Sequence, residues 1–186
     1  LSVMNDSDPN ILKDHFFERD SFLVAEEILG CALVRELPDG NLIRSIISEV
    51  EVYDGFLDKA SHAHRGITKR NQVMFGPPGR AYVYLCYGMH WLLNITTRES
   101  GYPAALLIRS VSDCKGPGRT TRFFHINGEQ NNQSLNKENG LWLEANKNKL
   151  LKNIKKEPRV GIDYAGKPWV NKLYRYGLKS LEDNTN

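Results

Sequence analysis

The chain has 186 residues with 25 Lys and Arg against 22 Asp and Glu, a formal charge of +3, so neither an acidic nor a strongly basic composition defines it. It is long enough for one sizeable core, holds no stretch that reads as a linker between two, and has no apolar run near the roughly 20 residues that cross a bilayer. Three cysteines, Cys31, Cys86 and Cys114, cannot all pair and form no Cys-x-x-Cys arrangement; with no basic-then-apolar leader at the start, this points to reduced thiols and an intracellular protein.

In chain order, the spacing of Phe22, Ala25, Ile28 and Leu29 after Asp20-Ser21 predicts a helix capped by that pair and ended by Gly30. Strands are predicted at Cys31–Leu37 and Leu42–Tyr53, joined by the turn Pro38-Asp39-Gly40-Asn41. Along the second strand, Ile46, Val50 and Val52 fall on one face and Ile47, Glu49, Glu51 and Tyr53 on the other. A carboxylate two residues from an aromatic ring suits a flat ligand held beside an acid or base, while on a solvent-facing strand the same pattern is an ordinary hydrated surface. Leu57-Asp58-Lys59 reads as an exposed charged stretch.

Asp58, His62, His64 and His90 are a conceivable metal set. His62 and His64 share a face only in an extended chain, however, and Gly66 with the surrounding charges indicates a loop, so no metal is expected. Strands follow at Ala81–Cys86 and His90–Thr97, a hairpin turning at Gly88 with Tyr87 where the chain reverses, and at Ala104–Val111. A ring at an exposed tip can wedge between stacked bases or pack on a neighbouring loop. Residues 127–139 read as a polar excursion, and 1–10 and 182–186 as mobile ends. Hairpins dominate over βαβ alternation. Charge is uneven: residues 1–60 carry 5 Lys/Arg against 13 Asp/Glu, and residues 61–186 carry 20 against 9, so the later portion can face phosphates.

Taken in order, Ile47-Ser48-Glu49-Val50-Glu51-Val52-Tyr53, Ala60-Ser61-His62, Arg70-Asn71-Gln72-Val73-Met74-Phe75, Pro78-Gly79, Tyr82-Val83-Tyr84, Tyr87-Gly88-Met89 and Asn94 resemble the alkyladenine (3-methyladenine) DNA glycosylases of the mammalian type. The resemblance runs from Phe16-Phe17 to Arg159-Val160-Gly161 and Ala165-Gly166. It implies an α+β fold: a single compact domain over residues 1–186, around a curved, largely antiparallel sheet with a protruding β-hairpin that inserts into DNA.

The chemistry it implies is hydrolysis of the bond between a damaged purine and deoxyribose, through an oxocarbenium-like transition state that needs an anionic carboxylate and an activated water. Glu51 matches the family's general base, Glu49 being the competitor on the same face. Arg109 matches the arginine that holds the water and a nearby phosphate. Tyr53 and His62 match one wall of the base pocket and Tyr84 the other, where a cationic purine gains a cation–π term. Asn94 matches the residue that clashes with the amino group of guanine.

Tyr87 and Met89 on the hairpin, with Gly118 and Arg119 in a phosphate-contacting loop Gly116–Thr120, match DNA contacts. Near the end, Trp169, Lys172 and Arg175-Tyr176 resemble the family's closing segment, with the carbonyl of Leu178 near the water. No lysine matches a pocket position, which implies a monofunctional enzyme. The resemblance further implies a monomer without metal or cofactor, whose partner is double-stranded DNA carrying alkylated or deaminated purines. The competing reading is a non-catalytic sensor of distorted DNA, which has no use for a carboxylate that repels phosphate. A nucleoside-binding enzyme leaves Tyr87 and the basic excess unexplained.

Overall fold

Period-two alternation lays out the sheet that carries the site. In the computed structural model, which describes residues 10–146 and 153–179, the chain opens with two short helices, α1 (Asp14–Phe17) and α2 (Ser21–Ile28). The Asp20 carboxylate accepts the N–H groups of Phe22 and Leu23, satisfying donors that the first helical turn leaves free. Gly30 leaves the helix at φ +84°, a conformation that only glycine takes without penalty.

Nine strands follow among the described residues: β1 (Ala32–Glu36), β2 (Leu42–Asp54), β3 (Ala81–Cys86), β4 (His90–Thr96), β5 (Ala104–Val111), β6 (Cys114–Lys115), β7 (Leu141–Glu144), β8 (Ile154–Glu157) and β9 (Arg175–Leu178). Their pairings are antiparallel, in the order β3-β4-β5-β2-β1-β7, with β6 on β5 and β8 on β9. The first half of β2 pairs with β1 and its second half with β9, while β5 lies along the opposite edge. The described residues thus form a single compact α+β domain, with Phe17, Val24, Ile28, Leu33, Val52, Leu93, Leu106, Ile108, Phe124 and Leu143 packed into one core.

Two expectations about local structure change. Ile47 is fully buried and packs with Val50 and Val52, whereas Ile46 is exposed. The register of β2 against β5 shifts between Ile47 and Glu49 and again before Val50, and such a bulge moves a residue to the other face of the sheet. Gly116–Thr120 is also not a free loop, because Pro117–Phe123 forms a helix, α3, with Pro117 in its first turn where its missing N–H costs nothing.

The polar excursion at 127–139 covers the outer edge of β3: Ala81 exchanges backbone hydrogen bonds with Asn132 and Gln133, and the Asn131 side chain accepts the Val83 N–H at 2.9 Å. Polar residues there close an edge that would otherwise offer free backbone groups. Of the ends expected to be mobile, 1–9 and 182–186 lie outside the described residues; the Asn10 carbonyl accepts the Ala145 N–H at 2.7 Å.

Candidate active site

Glu51 and Tyr53 stand two residues apart on β2, so they share a face, and the Tyr53 hydroxyl donates to Oε2 of Glu51 at 2.9 Å. Oε1 accepts the backbone N–H of Val160 at 2.8 Å and lies 3.4 Å from Nη1 of Arg109. Glu51 is fully buried. Burial pushes its carboxyl above the usual range, opposed by Arg109, by the Val160 and Tyr53 hydrogen bonds and by Arg159. An ionised carboxylate has more acceptor sites than these two donors use, which leaves capacity to accept a proton from water.

Glu49, the competing carboxylate, is held otherwise. Arg109 donates through Nε to its Oε1 at 2.7 Å, and Arg175 lies 3.4 Å from its Oε2. Arg109 therefore spans the two acids, bound more closely to Glu49 than to Glu51.

Beside this pair lies a pocket lined by Tyr53, Ala60, Ser61, His62, Met74, Tyr82, Tyr84, Asn94 and Tyr164. All four residues expected to bind a base, Tyr53, His62, Tyr84 and Asn94, are among its walls. His62 comes from a 3-10 turn, His62–Arg65, and its Nδ1 lies 3.0 Å from the Tyr82 hydroxyl. Its ring meets that of Tyr84 edge-on, centroids 4.7 Å apart. Desolvation of its inner edge, helped by the charge of Arg70, lowers its pKa and favours neutral imidazole. Asn94 is buried and donates through Nδ2 to the Tyr82 carbonyl at 3.1 Å, which fixes the amide toward the pocket.

The pocket has a cavity volume of about 40 Å³. Tyr164, on the 3-10 turn Asp163–Ala165, is exposed, as is His62, and donates through its hydroxyl to the Ala60 carbonyl at 2.9 Å. The Arg70 guanidinium stacks on Tyr84, 5.0 Å from the ring centroid.

The hairpin places Tyr87 far into solvent, 87 % exposed, with Met89 beside it at 70 %. Tyr87 and Gly88 both take positive φ, +51° and +65°, and the Met89 N–H closes the turn on the Cys86 carbonyl at 3.1 Å. A bulky side chain in that conformation is strained, and such strain is typical of residues held for a purpose. At the base of the hairpin, Met89 and Gly118 line a hollow of about 370 Å³ with His90, Trp91, Arg122 and His125. Arg119 is exposed on α3. The four expected DNA contacts therefore lie on the hairpin and the helix packed against it.

Sequence reasoning missed several residues. Asp58, in a stretch that reads as exposed, is fully buried because Arg159 pairs with it through both oxygens, at 2.6 and 2.8 Å. Lys59 next to it is exposed, and among the described residues no lysine lines the pocket. The backbone N–H bonded to the Glu51 carboxylate is that of Val160, and Leu178 pairs with Ile154 in the β8–β9 ladder. Arg159-Val160-Gly161 and Ala165-Gly166 belong to the resemblance, so Val160 and the neighbouring Tyr164 lie within reach of the same signal. The four-residue metal set is dispersed: Asp58 is taken by Arg159, His64 bonds the Phe56 carbonyl, and His90 lines the hollow by the hairpin. Among the described residues no three His, Cys, Asp or Glu side chains gather into a metal-binding group.

A sequence profile of the methylpurine-DNA glycosylase (MPG) family matches residues 15–115 and 112–182. The chain is similar to proteins provisionally named 3-methyladenine DNA glycosylase. One from Methanocella arvoryzae is 38 % identical over 183 residues, covering 86 % of this chain and 90 % of the relative. One from Legionella pneumophila strain Corby is 40 % identical over 171 residues, covering 88 % and 92 %. A third, from Ehrlichia ruminantium, is 38 % identical over 181 residues, covering 92 % and 91 %.

Proposed function

The chain belongs to the methylpurine-DNA glycosylase family, and from that premise we propose that it is a monofunctional glycosylase of base excision repair, which flips alkylated or deaminated purines out of duplex DNA and hydrolyses their N-glycosidic bond. The observation that carries this reading is the buried Glu51 carboxylate joined to the base-pocket wall by the Tyr53 hydroxyl. A protein that only sensed distorted DNA would gain nothing from burying an acid there, since it opposes phosphate and costs desolvation.

The glycosidic carbon is reachable only when the nucleotide leaves the stack. Tyr87, at the tip of the hairpin, fills the gap in the duplex, while Met89, Gly118 and Arg119 contact the backbone. The flipped purine stacks among the rings of Tyr53, His62 and Tyr84 that line the pocket. Asn94 meets its edge, where the amino group of guanine has no room. As the C1′–N bond lengthens, Glu51 takes a proton from water, the water oxygen bonds to C1′, and the electron pair of the broken bond departs with the base. Arg109 steadies the carboxylate and the incoming water. The products are free base and an abasic strand; with no lysine of the described residues among the pocket walls, no Schiff base forms.

The test is base release from duplex oligonucleotides that each carry one hypoxanthine, ethenoadenine or methylated purine. Release of damaged purines but not of normal ones is expected. Tight binding to the same duplexes without release at long incubation favours the sensor instead.

A further inference from the structure

Three segments of the candidate active site meet at one buried ion pair. Asp58 and Arg159, 101 residues apart, are joined through both guanidinium nitrogens, Nη1 to Oδ2 at 2.6 Å and Nη2 to Oδ1 at 2.8 Å, with neither side chain exposed. Nη1 also donates to the carbonyl of Val52 at 2.9 Å, the residue between Glu51 and Tyr53. The guanidinium carbon lies 4.7 Å from the centroid of the Tyr53 ring, and Arg159 is not among the residues lining the pocket. One residue further on, the Val160 N–H holds Oε1 of Glu51. Asp58 meanwhile accepts the N–H of Ala60 at 3.1 Å and that of Asp54 at 3.4 Å, fixing the loop that presents Ala60, Ser61 and His62 to the pocket.

We propose that the Asp58–Arg159 pair is the positioning element of the active site, one rigid fork that sets the Glu51 carboxylate, the Tyr53 ring and the His62 loop relative to one another. This rests on the reading of Glu51 as the general base. Arginine suits the task because its planar fork fixes direction as well as charge, which lysine cannot do. A pair of this kind is often replaceable by apolar residues without loss of stability, so packing alone does not account for it. Its cation also favours the ionised form of Glu51. The other groups facing Glu51 are Arg109 from β5 and Tyr53 from β2, with Glu49 joined to it through Arg109, and Arg175, its partner in the β2–β9 ladder, paired with Glu49 and Glu157.

The test is kcat, KM and their pH profiles on a hypoxanthine duplex for Arg159→Lys, Arg159→Gln and the neutral pair Asp58→Asn/Arg159→Gln. The last leaves no unpaired buried charge and serves if Arg159→Gln fails to fold. Arg159→Lys keeps the charge and loses the fork; kcat is expected to fall about 10- to 100-fold with KM nearly unchanged and the acid limb in place. Both neutral variants are expected to move the acid limb to higher pH, since Glu51 loses a neighbouring cation.

The proposal is overturned if every folded variant keeps the native acid limb and loses kcat only in proportion to its folded fraction by circular dichroism. If neither neutral variant folds, the Arg159→Lys split between kcat and KM decides. Glu51→Gln that retains activity and the native acid limb refutes instead the reading of Glu51 as the base, so the two failures are told apart.

Discussion

The backbone N–H of Val160 donates to the carboxylate of Glu51 across 109 residues of chain, at 2.8 Å. Glu49, two residues away on the same strand, is held by Arg109 and Arg175 instead. Similar acids on one strand thus have different surroundings, one braced by arginines near the surface and one buried against the pocket wall.

From that contrast, Glu51→Gln is expected to lower base release by roughly 10²–10⁴-fold, the usual contribution of a general base, while binding to lesion duplex is kept or tightened by loss of a negative charge. Glu49→Gln is expected to retain most activity. Single-turnover release with both variants checks this, and the reverse pattern shows that Glu49 is the base.

The same substitution is expected to stabilise the fold at neutral pH. Burial raises the Glu51 carboxyl above its unfolded value, so the native state binds this proton more tightly than the unfolded chain does. Its contribution is most favourable below the unfolded pKa and is lost as pH rises through the raised native one. Urea unfolding at neutral pH is expected to give a higher midpoint for Glu51→Gln than for the native chain, with the gap narrowing on acidification through that window. A lower midpoint at neutral pH contradicts this.

Tyr87→Ala is expected to weaken binding to lesion-bearing duplex by about one stacking contact, ~1–3 kcal/mol, and to slow release from stable pairs more than from mismatches, whose bases are already partly unstacked. The melting temperature should hardly change, because the ring is 87 % exposed. Equal effects on matched and mismatched substrates, or a sharp loss of stability, would make Tyr87 a packing residue.

Borohydride added during turnover is expected to trap no covalent protein–DNA adduct, and the abasic strand should persist until alkali cuts it. Among the described residues the pocket walls hold no lysine and Lys59 is exposed, so none of them offers a desolvated amine to attack the sugar. A trapped band in denaturing electrophoresis rules out the monofunctional reading.

Much of the fold was legible because it is local. Period-two alternation placed β3 and β5 at their observed limits and β2 and β4 within one residue at one end, and Asp20 announced α2. The short strands β6 to β9 were not legible: each has two to four residues, too few for a period to show, and exists because a partner strand completes it. The bulge that turns Ile47 inward escaped for a related reason, since alternation presumes an uninterrupted ladder and the shift is imposed by β5.

The sequence by itself determined the residue kinds at the site and the faces of the strands that bear them: Glu51 with Tyr53, Tyr82 with Tyr84, and an aromatic ring at a hairpin tip. Only the tertiary structure decided which carboxylate is buried, that Asp58 and Arg159 form a pair, and that Val160 and Tyr164 complete the site. Those outcomes hang on desolvation and on hydrogen bonds between segments a hundred residues apart, and neither leaves a period or a local signature in the chain.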